Sequence, residues 1–175
     1  MKISKSFKVY IHILFALFFA QNVNSESKLS NNIIVHENPI KISELKFKDF
    51  NLQEVNLTSK KGNIMILNFW ASWCLPCKRE MPSLEKLAQN YPEIKIYPIN
   101  MEKPNKLRAR DFYKSIGVTN LDIYFDPEFN LVKQFKMRGM PTSILINKEG
   151  MEFARVLGEI DFFGEEFISF IKKYN

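Results

Sequence analysis

Cys74 and Cys77 are the whole cysteine complement of this 175-residue chain, and they stand in the run Trp73, Cys74, Leu75, Pro76, Cys77, Lys78, Arg79, Glu80. Two thiols three positions apart can attack a disulfide, release it and close on each other, so the pair reads first as a redox dithiol. Zinc is a weaker reading. It takes four ligands, usually Cys or His, and the chain adds only His12 and His36, so carboxylates or a second chain would have to complete a site. A purely structural disulfide here would close a very small loop, and the stabilisation expected of a disulfide grows with the loop it closes.

The flanking residues give the pair its chemistry. Residues Ile64 to Trp70, IMILNFW, form an apolar run broken only by Asn68, the pattern of a strand buried on both faces. From Pro76 onward Met81, Leu84, Leu87, Ala88 and Tyr91 recur at helical spacing, which puts Cys74 at the N-cap and Pro76 at or near the first helical position. A thiolate at a helix N-terminus faces unpaired backbone N–H groups and the positive end of the macrodipole. The N-terminal cysteine of such pairs is lowered to between about 3.5 and 7.5, and the thiolate is the nucleophile. Cys74 is therefore the expected attacker and Cys77 the resolving thiol. Trp73, directly before the nucleophile, is expected to shield the site edge and to offer partners an apolar platform.

WCLPC followed by KREMP resembles the TlpA/ResA/DsbE group of thioredoxin-fold proteins, which work outside the cytoplasm of bacteria. The resemblance extends from Phe47 to the C-terminus and includes NFWASWC and, later, RGMPTSILINKEG over Arg138 to Gly150. It implies a cis peptide at Pro141 beside the dithiol, with the Met140 backbone offered to a partner strand. The Met140 side chain has simple core filling as its alternative. Cytoplasmic thioredoxins carry a buried acid where this chain has Asn68, and an amide cannot titrate. The group instead carries a glutamate matched by Glu80, which would assist proton transfer at Cys77 if partly buried; the alternative is a solvated glutamate paired with Lys78 or Lys86. The resemblance also implies a kink at Pro82, where a proline removes a helical hydrogen bond.

Lys2, Lys5 and Lys8 precede the apolar stretch Val9 to Ala20, interrupted only by His12, as in a signal peptide, with an uncleaved anchor as the alternative. Three segments are expected: a signal peptide over 1–25, a linker or N-terminal extension over 26–45 and a thioredoxin-like domain over 46–175. Loss of residues 1–25 removes three lysines and no acid, lowering the net charge from +6 to +3. The basic residues are scattered, so nucleic-acid binding is disfavoured. Neither a Walker motif nor GxGxxG is present, which disfavours a nucleotide cofactor. No cofactor beyond the Cys74–Cys77 disulfide is expected, and no metal. Met137 and Met140 as soft copper ligands are set against ordinary core packing.

The coarse elements are a hairpin over Phe47 to Leu57, the central strand, the dithiol helix to Asn90 and a strand over Ile94 to Asn100. A helix near Asn105 to Ile116, a hairpin of Ile144 to Asn147 with Glu152 to Val156, and a last helix capped by Asp161 complete the set. Asp126 and Pro127 read as a turn. The expected fold is a three-layer α/β/α thioredoxin-like domain with a central mixed sheet.

The function implied is an exported, periplasmic thiol-disulfide oxidoreductase, monomeric, that reduces disulfides of specific protein partners such as an apocytochrome c or a copper chaperone. By resemblance, its electrons come from a membrane thiol transporter. A general oxidant or isomerase, and a non-catalytic partner-binding module, are the alternatives.

Overall fold

The structure, a computed structural model, describes residues 31–174. The expected signal segment and most of the polar stretch after it lie outside these residues. The described chain runs β1 (Ile33–Lys41), β2 (Lys46–Lys48), β3 (Glu54–Asn56), β4 (Met65–Trp70), α1 (Leu75–Asn90), β5 (Lys95–Asn100), α2 (Lys106–Ser115), β6 (Tyr124–Phe125), α3 (Asn130–Phe135), β7 (Thr142–Ile146), β8 (Met151–Leu157) and α4 (Glu165–Ile171), closed by a 3-10 turn at Lys172–Tyr174. The strands form one eight-stranded sheet in the order β1-β8-β7-β4-β5-β6-β2-β3. β4 with β5 and β5 with β6 are parallel, and the remaining pairs are antiparallel.

Every residue of β4 is buried, as its unbroken apolar run requires of a strand covered on both sides. Alternation then divides its side chains. Ile66 and Trp70 join the core that includes Met81, Leu84 and Leu87 of α1, Phe112 of α2 and Phe167 of α4. Met65, Leu67 and Phe69 join the other, with Leu131 and Phe135 of α3 and Phe47 of β2. Helices thus cover both faces, and the three-layer thioredoxin-like architecture follows. Asn68 belongs by parity to the α1 face.

Several elements differ from the sequence reading. β1 falls in the stretch read as linker or extension, where Pro39 and an almost wholly exposed side-chain pattern hide the strand signal. β6 and α3 surround the Asp126 turn: its carboxylate accepts from Asn130 N at 3.1 Å and Leu131 N at 2.9 Å, so the expected turn residue also caps a helix. Asp161 does not cap α4, whose N-cap is Gly164 without a side-chain bond. Asp161 stands three residues too early, and Oδ1 accepts from Phe163 N at 2.9 Å inside the preceding turn.

Candidate active site

β4 ends at Trp70, a turn closed by Cys74 N donating to Ala71 O at 3.1 Å reverses the chain, and α1 begins at Leu75. Cys74 is the N-cap, with extended backbone angles, and its Sγ accepts from Cys77 N at 3.2 Å. Pro76 lies in the first turn, where the absence of its N–H leaves no helical bond unmade. The two sulfurs are joined in a disulfide with Cα atoms 5.3 Å apart. Cys74 is 4% exposed and Cys77 fully buried, so the outer sulfur is the N-terminal one. Trp73, 70% exposed, and the exposed Leu75 flank it as apolar surface.

The turn before Cys74 is held by a residue the sequence reading passed over. Glu102, just after β5, accepts from Ser72 N at 2.6 Å and Ser72 Oγ at 3.0 Å, and Arg108 pairs with it at 3.3 Å. Burial works against this carboxylate's charge, but the bonds from Ser72, Asn100 and Arg108 prevail and hold it below the ordinary range. Ser72, the turn residue it holds, is 30 positions away in sequence, so no local pattern marks that role.

Beneath the dithiol, Glu80 is 2% exposed, which excludes the solvated-glutamate alternative. Asn68 Nδ2 donates to Glu80 Oε1 at 2.8 Å and to Ser143 Oγ at 3.0 Å. Glu80 Oε2 has no aligned donor. Burial pushes the Glu80 carboxyl up to about 8; the Asn68 amide and the Ile160 N–H act against the rise, and the negative charge of Glu159 adds to it. Glu80 nonetheless lines a cleft of about 510 Å³ together with Arg79, Lys86, Glu159 and Asp161. A buried acid that reaches its proton near neutrality and borders a cleft is suited to proton transfer.

Beside β4, the strand that leads to the dithiol, the Met140–Pro141 peptide is cis, and β7 starts at the next residue. No hydrogen bond links the Met140 backbone to another described residue. A mostly apolar groove of about 620 Å³ runs from Met140 and Pro141 past Met137 and Leu157 to Ile34 and Ile40 of β1. Met137 and Met140 also pack against the α3-side core, as the core-packing reading expects. Among the described residues no group of three or more His, Cys, Asp or Glu side chains is placed to hold a metal ion, and no helix is long and apolar enough to cross a membrane.

A dithiol presented at a helix N-terminus over this sheet defines the class of thioredoxin-like proteins that exchange disulfides. Residues 40–151 match the AhpC/TSA family, and the chain belongs to it. It is 34% identical over 129 residues to the thiol-disulfide oxidoreductase ResA of Halalkalibacterium halodurans, covering 71% of this chain and 72% of that protein. With ResA of Bacillus subtilis the identity is 31% over 113 residues, covering 63% of this chain and 62% of the relative. A solved structure from Chlorobium tepidum, described as a DsbE-type thiol:disulfide interchange protein, superposes with a TM-score of 0.68 at 24% identity, over 79% of this chain and 97% of that one, which shows the shared fold. The protein is an enzyme of thiol-disulfide exchange.

Proposed function

We propose that the protein reduces disulfides of a narrow set of exported partner proteins, with Cys74 as nucleophile, Cys77 as resolving thiol and Glu80 as the acid–base group for Cys77. The observation that carries this reading is the placement of Cys74 at the α1 N-cap, its sulfur accepting a backbone N–H, above a buried glutamate with one unpartnered oxygen. In the reduced enzyme the Cys74 thiolate attacks one sulfur of the partner disulfide, whose S–S bond breaks and whose other sulfur leaves as thiolate. Cys77 then gives its proton to Glu80 in its carboxylate form, the major one only above about pH 8, and attacks Cys74 Sγ. The mixed disulfide breaks, the second partner thiolate leaves and is protonated, and two electrons have passed from the enzyme dithiol to the partner.

Trp73, Pro76, Met140 and Pro141 form the partner surface, a partner strand pairing with the Met140 backbone and its apolar side chains entering the groove beyond. The basic and apolar N-terminal run supports export to the periplasm, by cleavage or as an anchor. An apocytochrome c or a copper-site protein is the partner that the resemblance favours, with a membrane thiol-electron transporter restoring the dithiol.

A Cys77→Ser variant is expected to accumulate mixed disulfides through Cys74 with its partners, which mass spectrometry of the trapped species then names. Trapping by Cys74→Ser instead would reverse the assignment. Equilibration with glutathione sets the direction: a potential at or below about −270 mV supports the reductant, and one near about −120 mV the oxidant.

A further inference from the structure

Asn68 stands in the central strand, fully buried, with Oδ1 unpartnered. A buried acceptor left without a donor destabilises the fold, and an apolar residue at this place in β4 would avoid it. The two N–H bonds of its amide are both committed, one to Ser143 Oγ at 3.0 Å and one to Glu80 Oε1 at 2.8 Å. Ser143 is its register partner across β4 and β7, so the first bond fixes where the second must point. The result is a bridge from β7, the strand that follows Pro141, through the central strand to the helix that carries the dithiol.

We infer that Asn68 is a positioning residue for disulfide exchange: anchored by Ser143, its amide ties Glu80 Oε1 to the sheet and leaves Oε2 as the oxygen that takes and gives the proton. The inference rests on the acid–base role proposed for Glu80. It also gives a reason for an amide at this strand position, because the titrating group has moved to the helix and the strand supplies its donor. The neutral Asn68 and Ser143 face Glu80 from β4 and β7. Glu159 acts on it from beyond β8, already paired with Arg79 through bonds of 3.0 and 2.5 Å, and Lys86 and Asp161 share its cleft. The dithiol lies one turn earlier on α1.

The test is the pH dependence of reoxidation of the reduced enzyme by oxidised glutathione. In the wild type the profile carries an inflection belonging to Glu80, and Glu80→Gln removes it. Asn68→Leu withdraws a bond that favours the charged carboxylate, so the inflection moves upward by about one pH unit, a tenfold change in proton affinity. Asn68→Asp, nearly isosteric, sets two carboxyls on one proton and splits the inflection into two steps. Exchanging the groups in Asn68→Asp/Glu80→Gln restores a single step. Ser143→Ala, a small change that frees the amide, shifts the wild-type inflection upward by less than Asn68→Leu and serves if the strand variants do not fold. Profiles of the Asn68 and Ser143 variants that superpose on the wild type, while Glu80→Gln loses the inflection, overturn the inference and leave the role of Glu80 standing. An unchanged Glu80→Gln profile overturns both.

Discussion

Two buried glutamates sit close to β7 and are treated in opposite ways. Glu152, on β8, is closed by a cation and an imidazole: Arg155 donates from both Nε and Nη2, the latter at 3.0 Å to Oε2, and His36 Nε2 of β1 lies 2.8 Å from Oε1. Glu80, on α1, has no cation closing it: the Asn68 amide bonds Oε1, the Ile160 N–H also favours its charge, and Oε2 has no aligned donor. The first arrangement fastens the edge strand β1 to the sheet and gives the carboxylate nothing further to do. The second leaves a proton close to neutrality in a place that water can approach. Full pairing fits a structural acid, and partial pairing fits the acid–base role proposed for Glu80.

Breaking the closed site should be the more costly change. Arg155→Leu leaves Glu152 a buried charge facing only His36, and urea unfolding is expected to show a loss of about 3–5 kcal/mol, with the pH profile of exchange unaltered. A loss below about 1 kcal/mol would place Glu152 with ordinary surface pairs and dissolve the contrast. Glu80 should act through pH instead. Its carboxyl holds a proton up to about 8 in the folded protein against an ordinary value of 4.5. Below 4.5 both states are protonated; between 4.5 and 8 the native state keeps a proton that the unfolded chain has lost. Stability therefore falls as pH rises through this window, by on the order of a few kcal/mol, and levels off above it. Glu80→Gln is expected to flatten that slope in denaturation midpoints measured across pH 4.5 to 9, and an undiminished slope would assign it to other groups. The smallest effect on the fold is expected at Trp73, where Ala should change stability by less than about 0.5 kcal/mol. It should raise KM for a protein disulfide several-fold with kcat nearly constant, the signature of lost uniform binding. A fall in kcat at constant KM would move Trp73 from the docking surface into the reaction itself.

The parts of the site legible in sequence were those whose signal is local. Cys74 and Pro76 announce a helix start within three residues, Ile64 to Trp70 can be little else than a central strand, and Glu80 follows Cys77 by one helical turn. The mixed sheet followed from the order of apolar runs and from the family resemblance. What escaped was set by partners far along the chain. Glu152 meets His36 across 116 positions, and Glu85, buried on α1, accepts from Thr119 N and Asn120 N at 2.6 and 2.5 Å from across 34 and 35 positions. β1 carries no alternation because almost none of it is buried. α3, only six residues long, is too short to display a helical period. Asp161 invited a capping assignment by residue type alone, while the helix end was fixed by the turn geometry around Gly164.

β1 closes one end of the sheet, and between Val35 and Ile40 its pairing with β8 slips out of register. The slip spans His36, which turns inward to Glu152, and Pro39, which has no N–H to offer. An enzyme proposed to offer an open backbone position to partner strands faces a hazard of its own making, since a second molecule also has strands to give. The irregular margin at β1 makes that end of the sheet a poor template for edge-to-edge growth. The docking position proposed for partner strands is instead the Met140 backbone, which makes no hydrogen bond to another described residue.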